Sequence, residues 1–205
     1  ILVLAFENAD HPVETWMARA LELAGDFGGR FDQPGAAAAR DAHREGASGA
    51  WRDAFIRAPY FREVLTGWGV MYDTFETAIT WERFPAFHQG VMQVTADIIR
   101  RVTGKPGAVT CRFTHVYPDG PAPYYSFHCL SRHDAMLEHW QAIKTAASDA
   151  LIKLGGTITH HHAVGRDHRP WYDRERPDLF AAALKAAKRS LDPKGLLNPG
   201  VLLDP

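Results

Sequence analysis

Val109 to Leu130 reads VTCRFTHVYPDGPAPYYSFHCL. Two runs rich in β-branched and aromatic residues, Val109 to Tyr117 and Pro123 to Leu130, flank a Pro-Asp-Gly turn, which is the pattern of an antiparallel hairpin. Side chains alternate across a strand. Strict alternation puts Arg112, Thr114 and Val116 on one side, and Cys111, Phe113, His115 and Tyr117 on the other; in the second strand Tyr124, Ser126 and His128 share a side.

Working outward, Phe84, Phe87, Val91, Val94, Ile98 and Val102 recur at helical steps and stop at Gly104, with Pro106 beyond. Upstream of them, Val70 to Ile79 alternates as a strand. Downstream of the hairpin, Ser131 and Asp134 resemble a capping box, Met136, Trp140, Ile143, Ala147, Ala150 and Leu154 form a second apolar stripe, and Gly155 ends it. The stretch Gly156 to His160, GTITH, then reads as one more short strand. The order strand, helix, strand, strand, helix, strand predicts an α+β fold of ferredoxin-like type, βαββαβ, over about 69–161. Both helices cover one sheet face and the other face stays free.

The ends read as helical additions. At the start are a short strand, Leu2 to Phe6, and a helix opened by Pro12 carrying Val13, Trp16, Ala20 and Ala24. Residues 26–58 form a helical insertion with short helices at Ala36 to Glu45 and Trp51 to Arg57. Residues 166–205 form a tail with a helix opened by Pro177, carrying Phe180, Leu184, Ala187 and Leu191.

Charge and composition exclude several classes of function. Lys plus Arg (23) nearly balances Asp plus Glu (24), so no basic field is present to neutralise a phosphate backbone and no nucleic acid is expected as a partner. Cys111 and Cys129 are too few for a disulfide framework and lack zinc spacing, which fits a reducing, cytoplasmic setting. The run ILVLAF is far short of the ~20 apolar residues of a membrane span, and no basic region makes it a signal peptide. A start on Ile1 rather than Met leads to the expectation that a further segment precedes it. The Ala- and Arg-rich composition suggests a bacterial source.

The stretch Gly155 to Gly165, GGTITHHHAVG, holds three consecutive histidines. In an extended segment His160 and His162 point one way and His161 the other, so at most two could chelate one ion, and no spacing supplies further ligands. No metal is therefore expected, although by pattern a metal site stays open as the least favoured of three readings. An acid/base or anion-binding cluster and a polar surface loop are the other two, and the first of these draws on imidazole titrating near neutrality. Glu76, in an otherwise apolar strand, needs a partner. There is no G-x-G-x-x-G, Walker loop, G-x-S-x-G or H-E-x-x-H.

Three segments together, YFREVLTGWGVMYDTFETAITWERF (60–84), TCRFTHVYPDGPAPYYSFHC (110–129) and GGTITHHHAVGRDHRPW (155–171), resemble the C-terminal half of the alkyldihydroxyacetonephosphate synthases, FAD-linked enzymes of the vanillyl-alcohol-oxidase class. The likeness runs from about Pro59 to the closing LDPKGLLNPGVLL. The triplet is its specific part: related 2-hydroxy-acid dehydrogenases carry Glu-His-Gly there. The resemblance implies that residues 1–205 are a C-terminal cap domain whose free sheet face lies over the flavin. The cofactor is FAD, held mainly by an N-terminal domain absent from this sequence, so the chain alone neither holds FAD firmly nor turns over.

The implied reaction exchanges the acyl chain of acyl-dihydroxyacetone phosphate for a fatty alcohol, giving an ether-lipid precursor without net redox. By position, Tyr124 matches the tyrosine that moves a proton, and His160, His161 and His162 match a triplet that handles protons and the carboxylate or flavin oxygens. Arg62 and Arg112 are the implied substrate-binding arginines, and a planar guanidinium suits a phosphate. Asn198, Pro199 and Gly200 are the implied cofactor-facing residues. The expected partner is a lipid-like or small-molecule substrate, with peripheral membrane contact and a homodimer as open alternatives. Departures at Pro121 and Pro123, at Ala163-Val164 and in the Asn-Pro-Gly tail leave the substrate open. Two other readings remain: an FAD-dependent oxidase or dehydrogenase of a hydroxy acid or alcohol, and a non-catalytic ferredoxin-like binding module.

Overall fold

The computed structural model describes residues 2, 4, 6, 8–31 and 46–204, and the fold is α+β. The elements are α1 (Glu14–Asp26), α2 (Gly46–Gly67), β1 (Val70–Glu76), α3 (Phe84–Thr103), β2 (Ala108–Val116), β3 (Pro121–Leu130), a short 3-10 turn (His133–Ala135), α4 (Met136–Lys153), α5 (Arg169–Glu175) and α6 (Asp178–Leu191). The chain divides into two compact units, Ile1–Phe61 and Arg62–Pro205.

In the first unit α1 carries Trp16, which meets the edges of Phe6 and His11 at ring separations of 6.0 and 4.9 Å. Of the predicted strand Leu2 to Phe6, the described residues Leu2, Leu4 and Phe6 are not in a strand, and the rest lies outside the described residues. The predicted helix Ala36 to Glu45 also lies outside them. Trp51 to Arg57 belongs to the longer helix α2, which continues through Pro59 and Arg62.

The second unit is built on an antiparallel sheet of order β1-β3-β2, with β3 central. Its apolar side is the one the alternation predicts. Met71 and Phe75 of β1 and Tyr125, Phe127 and Cys129 of β3 pack under Phe87, Val91, Ile98 and Ile99 of α3 and Ile143, Ala147 and Leu151 of α4. Burying each such large side chain contributes about 1.5–3 kcal/mol. Among the described residues, α3 and α4 are the helices that pack on the strands, both on this face. Asp73 shares the face and is satisfied there, accepting from the Trp140 Nε1 at 2.6 Å with Lys144 at 3.5 Å.

Local signals explain where the two helices stop and start. Pro85 opens α3, and Gly104 closes it in the left-handed conformation (φ 71°), its N–H bonded to the Arg100 carbonyl. The predicted capping box before α4 does not form. The Ser131 hydroxyl lies 2.8 Å from His139 Nδ1 and Asp134 pairs with Arg132 at 3.1 Å, so a 3-10 turn leads in instead.

Two expectations about the sheet fail. Three strands are present among the described residues, not four, and the sheet runs over 70–130 rather than 69–161. Residues 156–160 lie next to the segment that follows β1 and share one backbone bond with it, Thr157 N–H to Ala78 O at 3.3 Å, but the N–H groups of Ile158 and His160 go to side-chain carboxylates, so no ladder grows. The second failure is in β2, where Phe113 pairs with Pro123 and His115 with Ala122, leaving Thr114 as an extra, bulged residue. One extra residue reverses the parity of everything after it. Phe113 meets Phe84 and Trp81 on the helix side, as predicted, but His115 and Tyr117 turn to the opposite face, where they meet His160.

The helix α5 was not foreseen as a separate element. Ion pairs across elements hold that helix: Arg174 reaches Asp149 of α4 at 2.9 Å, the Trp171 Nε1 donates to the same carboxylate at 2.9 Å, and Arg169 bridges Asp173 and Asp204 at 2.8 and 2.7 Å. The predicted last helix forms as α6, with Pro177 as its cap residue.

Candidate functional site

The uncovered face of the sheet carries Tyr72, Thr74 and Glu76 of β1, Tyr124, Ser126 and His128 of β3, and Arg112 and His115 of β2, as the pairing register requires. One end of this face is closed by the histidine loop, and Glu76 shapes the loop.

Glu76 ends β1 and is only 1% exposed. Its Oε1 accepts the backbone N–H groups of His160, His161 and His162 at 2.8, 3.0 and 3.0 Å, together with the Thr159 hydroxyl; its Oε2 accepts from His160 N–H at 2.9 Å and lies 3.3 Å from His161 Nδ1. Successive N–H groups converging on one anion form a backbone nest, here filled by the protein's own carboxylate. Burial pushes the Glu76 carboxyl up, but the Thr159 hydroxyl and the N–H groups of His162, His161 and His160 outweigh it and hold the group below the usual glutamate range. The partner that an isolated carboxylate in this strand required is therefore the loop backbone.

A second carboxylate, Glu175 of α5, fastens the other end of the loop by accepting the Thr157 hydroxyl at 2.7 Å and the Ile158 N–H at 2.8 Å. Ile158 is buried in the core below. At the loop entrance Gly155 has φ 84° with the Arg83 guanidinium against it, and Gly156 lies against Phe87 and Thr77, so a Cβ at either place meets occupied space. Arg83 is itself committed, donating to the carbonyls of Leu154 and Gly155 at 2.8 and 3.4 Å. Together with Tyr117, Gly120, Thr157, Glu175 and His160, Arg83 lines an open cavity of about 700 Å³ beside the loop.

Curled around Glu76, the triplet does not alternate as an extended segment would. His160 Nδ1 and His161 Nδ1 lie 3.4 Å apart, and His115 joins them, with ring centroids 5.0 Å from His160 and 5.1 Å from His161. The β2 bulge thus brings a third imidazole to this pair, which spacing along the chain did not show. Tyr117 hydroxyl is hydrogen-bonded to His160 Nε2 at 3.0 Å.

Tyr124 stands at the centre of the face. His161 lies along its ring at 5.8 Å, His162 meets it edge-on at 5.2 Å, and the Arg112 guanidinium covers it at 4.2 Å. Its hydroxyl donates to Thr74 Oγ1 at 3.1 Å. Burial lowers the His162 pKa, the Glu76 charge acts the other way, and His161, His168 and Lys144 add to the lowering, so His162 favours its neutral form. A phenol, a guanidinium and three imidazoles therefore converge on one polar sheet surface, able to move protons and to bind an anion.

Other sequence-predicted residues lie apart from this group. Arg62 reaches Asp73 at 3.8 Å, on the helix-covered side of β1. Asn198 to Gly200 form a turn tied to the segment after the triplet, with Arg166 donating to the Pro199 carbonyl at 3.1 Å; Asn198, Gly200 and Leu202 have φ of 47°, 75° and 60°. Among the described hydrogen bonds, none links this turn to Tyr124 or to the triplet. Sequence reasoning missed His115, Tyr117, Thr74 and Glu175. The first two were hidden by the bulge, and Thr74 could have been placed by its alternation with Glu76.

As to FAD, the face offers planar side chains (Tyr72, Tyr124 and the Arg112 guanidinium) next to hydrogen-bonding imidazoles and hydroxyls, the donor set that suits one side of a flat, oxygen-bearing heterocycle. The residues fit the group as a cover.

Comparison with known proteins agrees. The model of the family described as FAD linked oxidases, C-terminal domain, matches residues 1–202. Alkyldihydroxyacetonephosphate synthase of Caenorhabditis elegans is 31% identical over 147 residues, covering 71% of this chain and 25% of the synthase, and that of Trypanosoma brucei brucei is 28% identical over 153 residues, covering 75% and 25%. The chain thus spans about a quarter of the length of these relatives. Glycolate oxidase subunit GlcD of Bacillus subtilis is 43% identical over 52 residues, covering 25% of this chain and 11% of that protein. A solved alkyldihydroxyacetonephosphate synthase superposes with TM-score 0.58 at 16% identity, covering 91% of this chain and 27% of the other.

Proposed function

Because this chain belongs to the family of FAD-linked oxidase C-terminal domains, whose cofactor is FAD, we propose that it is the cap and substrate domain of a flavoenzyme that exchanges the acyl chain of acyl-dihydroxyacetone phosphate for a fatty alcohol. The observation that carries this reading is the Glu76-held triplet arranged around Tyr124 and Arg112. Likeness to synthases of that name over about three quarters of the chain supports the substrate.

When bound, FAD would supply an electron sink that holds the electron pair of the deprotonated substrate carbon until the proton returns. This chain's residues do the rest. Tyr124 takes a proton from the substrate carbon next to the ketone and returns one, with Thr74 holding its hydroxyl and Arg112 and His162 fixing its ring. The bond between that carbon and the acyloxy oxygen breaks, and its electron pair leaves with the fatty acid as a carboxylate. The alcohol oxygen then bonds to the same carbon and gives its proton to a histidine of the triplet, so no net oxidation occurs. Arg112, whose guanidinium lies 4.2 Å from the Tyr124 ring, binds the phosphate or the departing carboxylate. In this reading the flavin is held mainly by a part of the enzyme outside these 205 residues, which the quarter-length match to the synthases supports, so that residues 1–205 alone neither hold FAD firmly nor turn over.

A second reading, an FAD-dependent dehydrogenase of a hydroxy acid, draws on the short stretch of higher identity shared with the glycolate oxidase subunit. The test uses the complete flavoprotein. Release of fatty acid and formation of an ether with a long-chain alcohol, without reduction of an electron acceptor, supports the exchange; acceptor reduction by a 2-hydroxy acid supports the second reading. A complete protein without flavin defeats both. Tyr124→Phe is expected to abolish ether formation, by ~100-fold or more, while leaving the thermal midpoint unchanged; an active variant refutes its role.

A further inference from the structure

We infer that His115, His160 and His161 form a binding site for one divalent transition-metal ion of the zinc, cobalt or nickel kind. Each offers a ring nitrogen, and the three nitrogens lie within 4.8 Å of one another. His160 Nδ1 and His161 Nδ1 are already 3.4 Å apart. Two imidazole nitrogens bound tetrahedrally to zinc at ~2.0–2.1 Å stand about 3.4 Å apart, so this pair has the bite of a metal site. Without an ion, a proton on one of them, shared between the rings or turned to the Glu76 carboxylate 3.3 Å from His161 Nδ1, keeps the two lone pairs from opposing each other. With one, both present lone pairs to it.

The surroundings match what metal-binding histidines require. A ligating imidazole donates its other N–H to a fixed partner, which sets its tautomer. For His160 that partner is the Tyr117 hydroxyl, 3.0 Å from Nε2, which leaves Nδ1 for the ion. The Glu76 carboxylate, 3.3 Å from His161 Nδ1, supplies a buried negative charge next to the cation. His115 arrives only because the Thr114 bulge reverses its face, and its exposed ring lies against those of Tyr117, His160 and His161. Three nitrogens with a fourth position open to water or a substrate oxygen is the coordination of reactive rather than purely structural zinc.

This inference does not rest on the exchange reaction, since binding needs only residues of this chain. The two are linked by one consequence: an ion on His160 and His161 occupies the nitrogens that would otherwise handle protons, so metal and proton transfer compete.

The experiment is a Co2+ titration of the metal-free 205-residue chain followed by visible absorption, with circular dichroism of the same samples to show that the fold is retained. One Co2+ per chain, displaced by Zn2+, is expected, with affinity falling roughly 100-fold or more in His115→Ala and in His161→Ala and unchanged in the surface control His133→Ala. No uptake by the folded wild-type chain overturns the inference. Uptake that survives both alanine variants overturns it equally, because it would come from scattered surface imidazoles.

Discussion

The two faces of the sheet are made from alternate residues of the same three strands, yet they are held by different forces. On the helix side Phe75, Tyr125 and Phe127 pack among aliphatic residues of α3 and α4, and the order is set by apolar area removed from water. On the other side Glu76, Thr159 and the N–H groups of the triplet form one anion-centred network, with Tyr124, Arg112 and His115 around it. Apolar packing tolerates small shifts in direction, whereas a carboxylate shared among several donors fixes each of them in place. The helix side supplies the stability, and the open side supplies the directional groups that chemistry requires.

Removing one piece from each side tests that division. Phe127→Ala, in the centre of the helix side, is expected to cost about 3–5 kcal/mol in urea denaturation, with the open face regaining its contacts wherever the chain still folds. Glu76→Gln keeps size and shape but brings an NH2 group against N–H donors. We expect a smaller loss, about 2–3 kcal/mol, concentrated as lost hydrogen-exchange protection at His160, His161 and His162. Uniform loss of protection over α3 and α4 would instead mean that the two sides are not separable. Thr159→Val removes a single hydroxyl donor from the network and should cost about 1 kcal/mol by the same measurement.

On the open side acid should act through Glu76, with the smallest of these effects; Asp149 and Asp192, which hydrogen bonds also hold below the usual aspartate range, lie away from that face. Glu76 has a folded-state pKa below its unfolded value of about 4.3. Its contribution is therefore complete above that unfolded value and is lost as pH falls through the folded one. The melting temperature of the wild type is expected to drop more steeply below about pH 4 than that of Glu76→Gln, and parallel curves would remove Glu76 from the account. His162, whose pKa is also lowered, adds a shallower decline in the same direction as pH falls below its unfolded value of about 6.5.

Much of this could be read from the residues. Phe84 to Thr103 and Met136 to Lys153 form helices where their apolar stripes and glycine stops put them, and the hairpin around Pro118-Asp119-Gly120 forms with the predicted faces up to Phe113. The family likeness carried by the triplet and the hairpin agrees with the match over residues 1–202. The capping box, the fourth strand, the extended triplet and the placing of His115 with Phe113 did not survive.

What the sequence by itself determined is the set of elements and which face of the sheet is dry, because periodicity and turn chemistry act between residues close in the chain. What only the tertiary structure decided is the shape of the site. Glu76 and His160 are 84 positions apart, His115 and His160 are 45 apart, and both meetings depend on where β1 ends and on a single bulged residue. Local preference for an extended chain at 156–160 is worth a fraction of a kcal/mol per residue, about 1 kcal/mol at the very most. A buried carboxylate that must be satisfied outweighs it several-fold, so the backbone of the histidines bends to Glu76 rather than pairing as a strand.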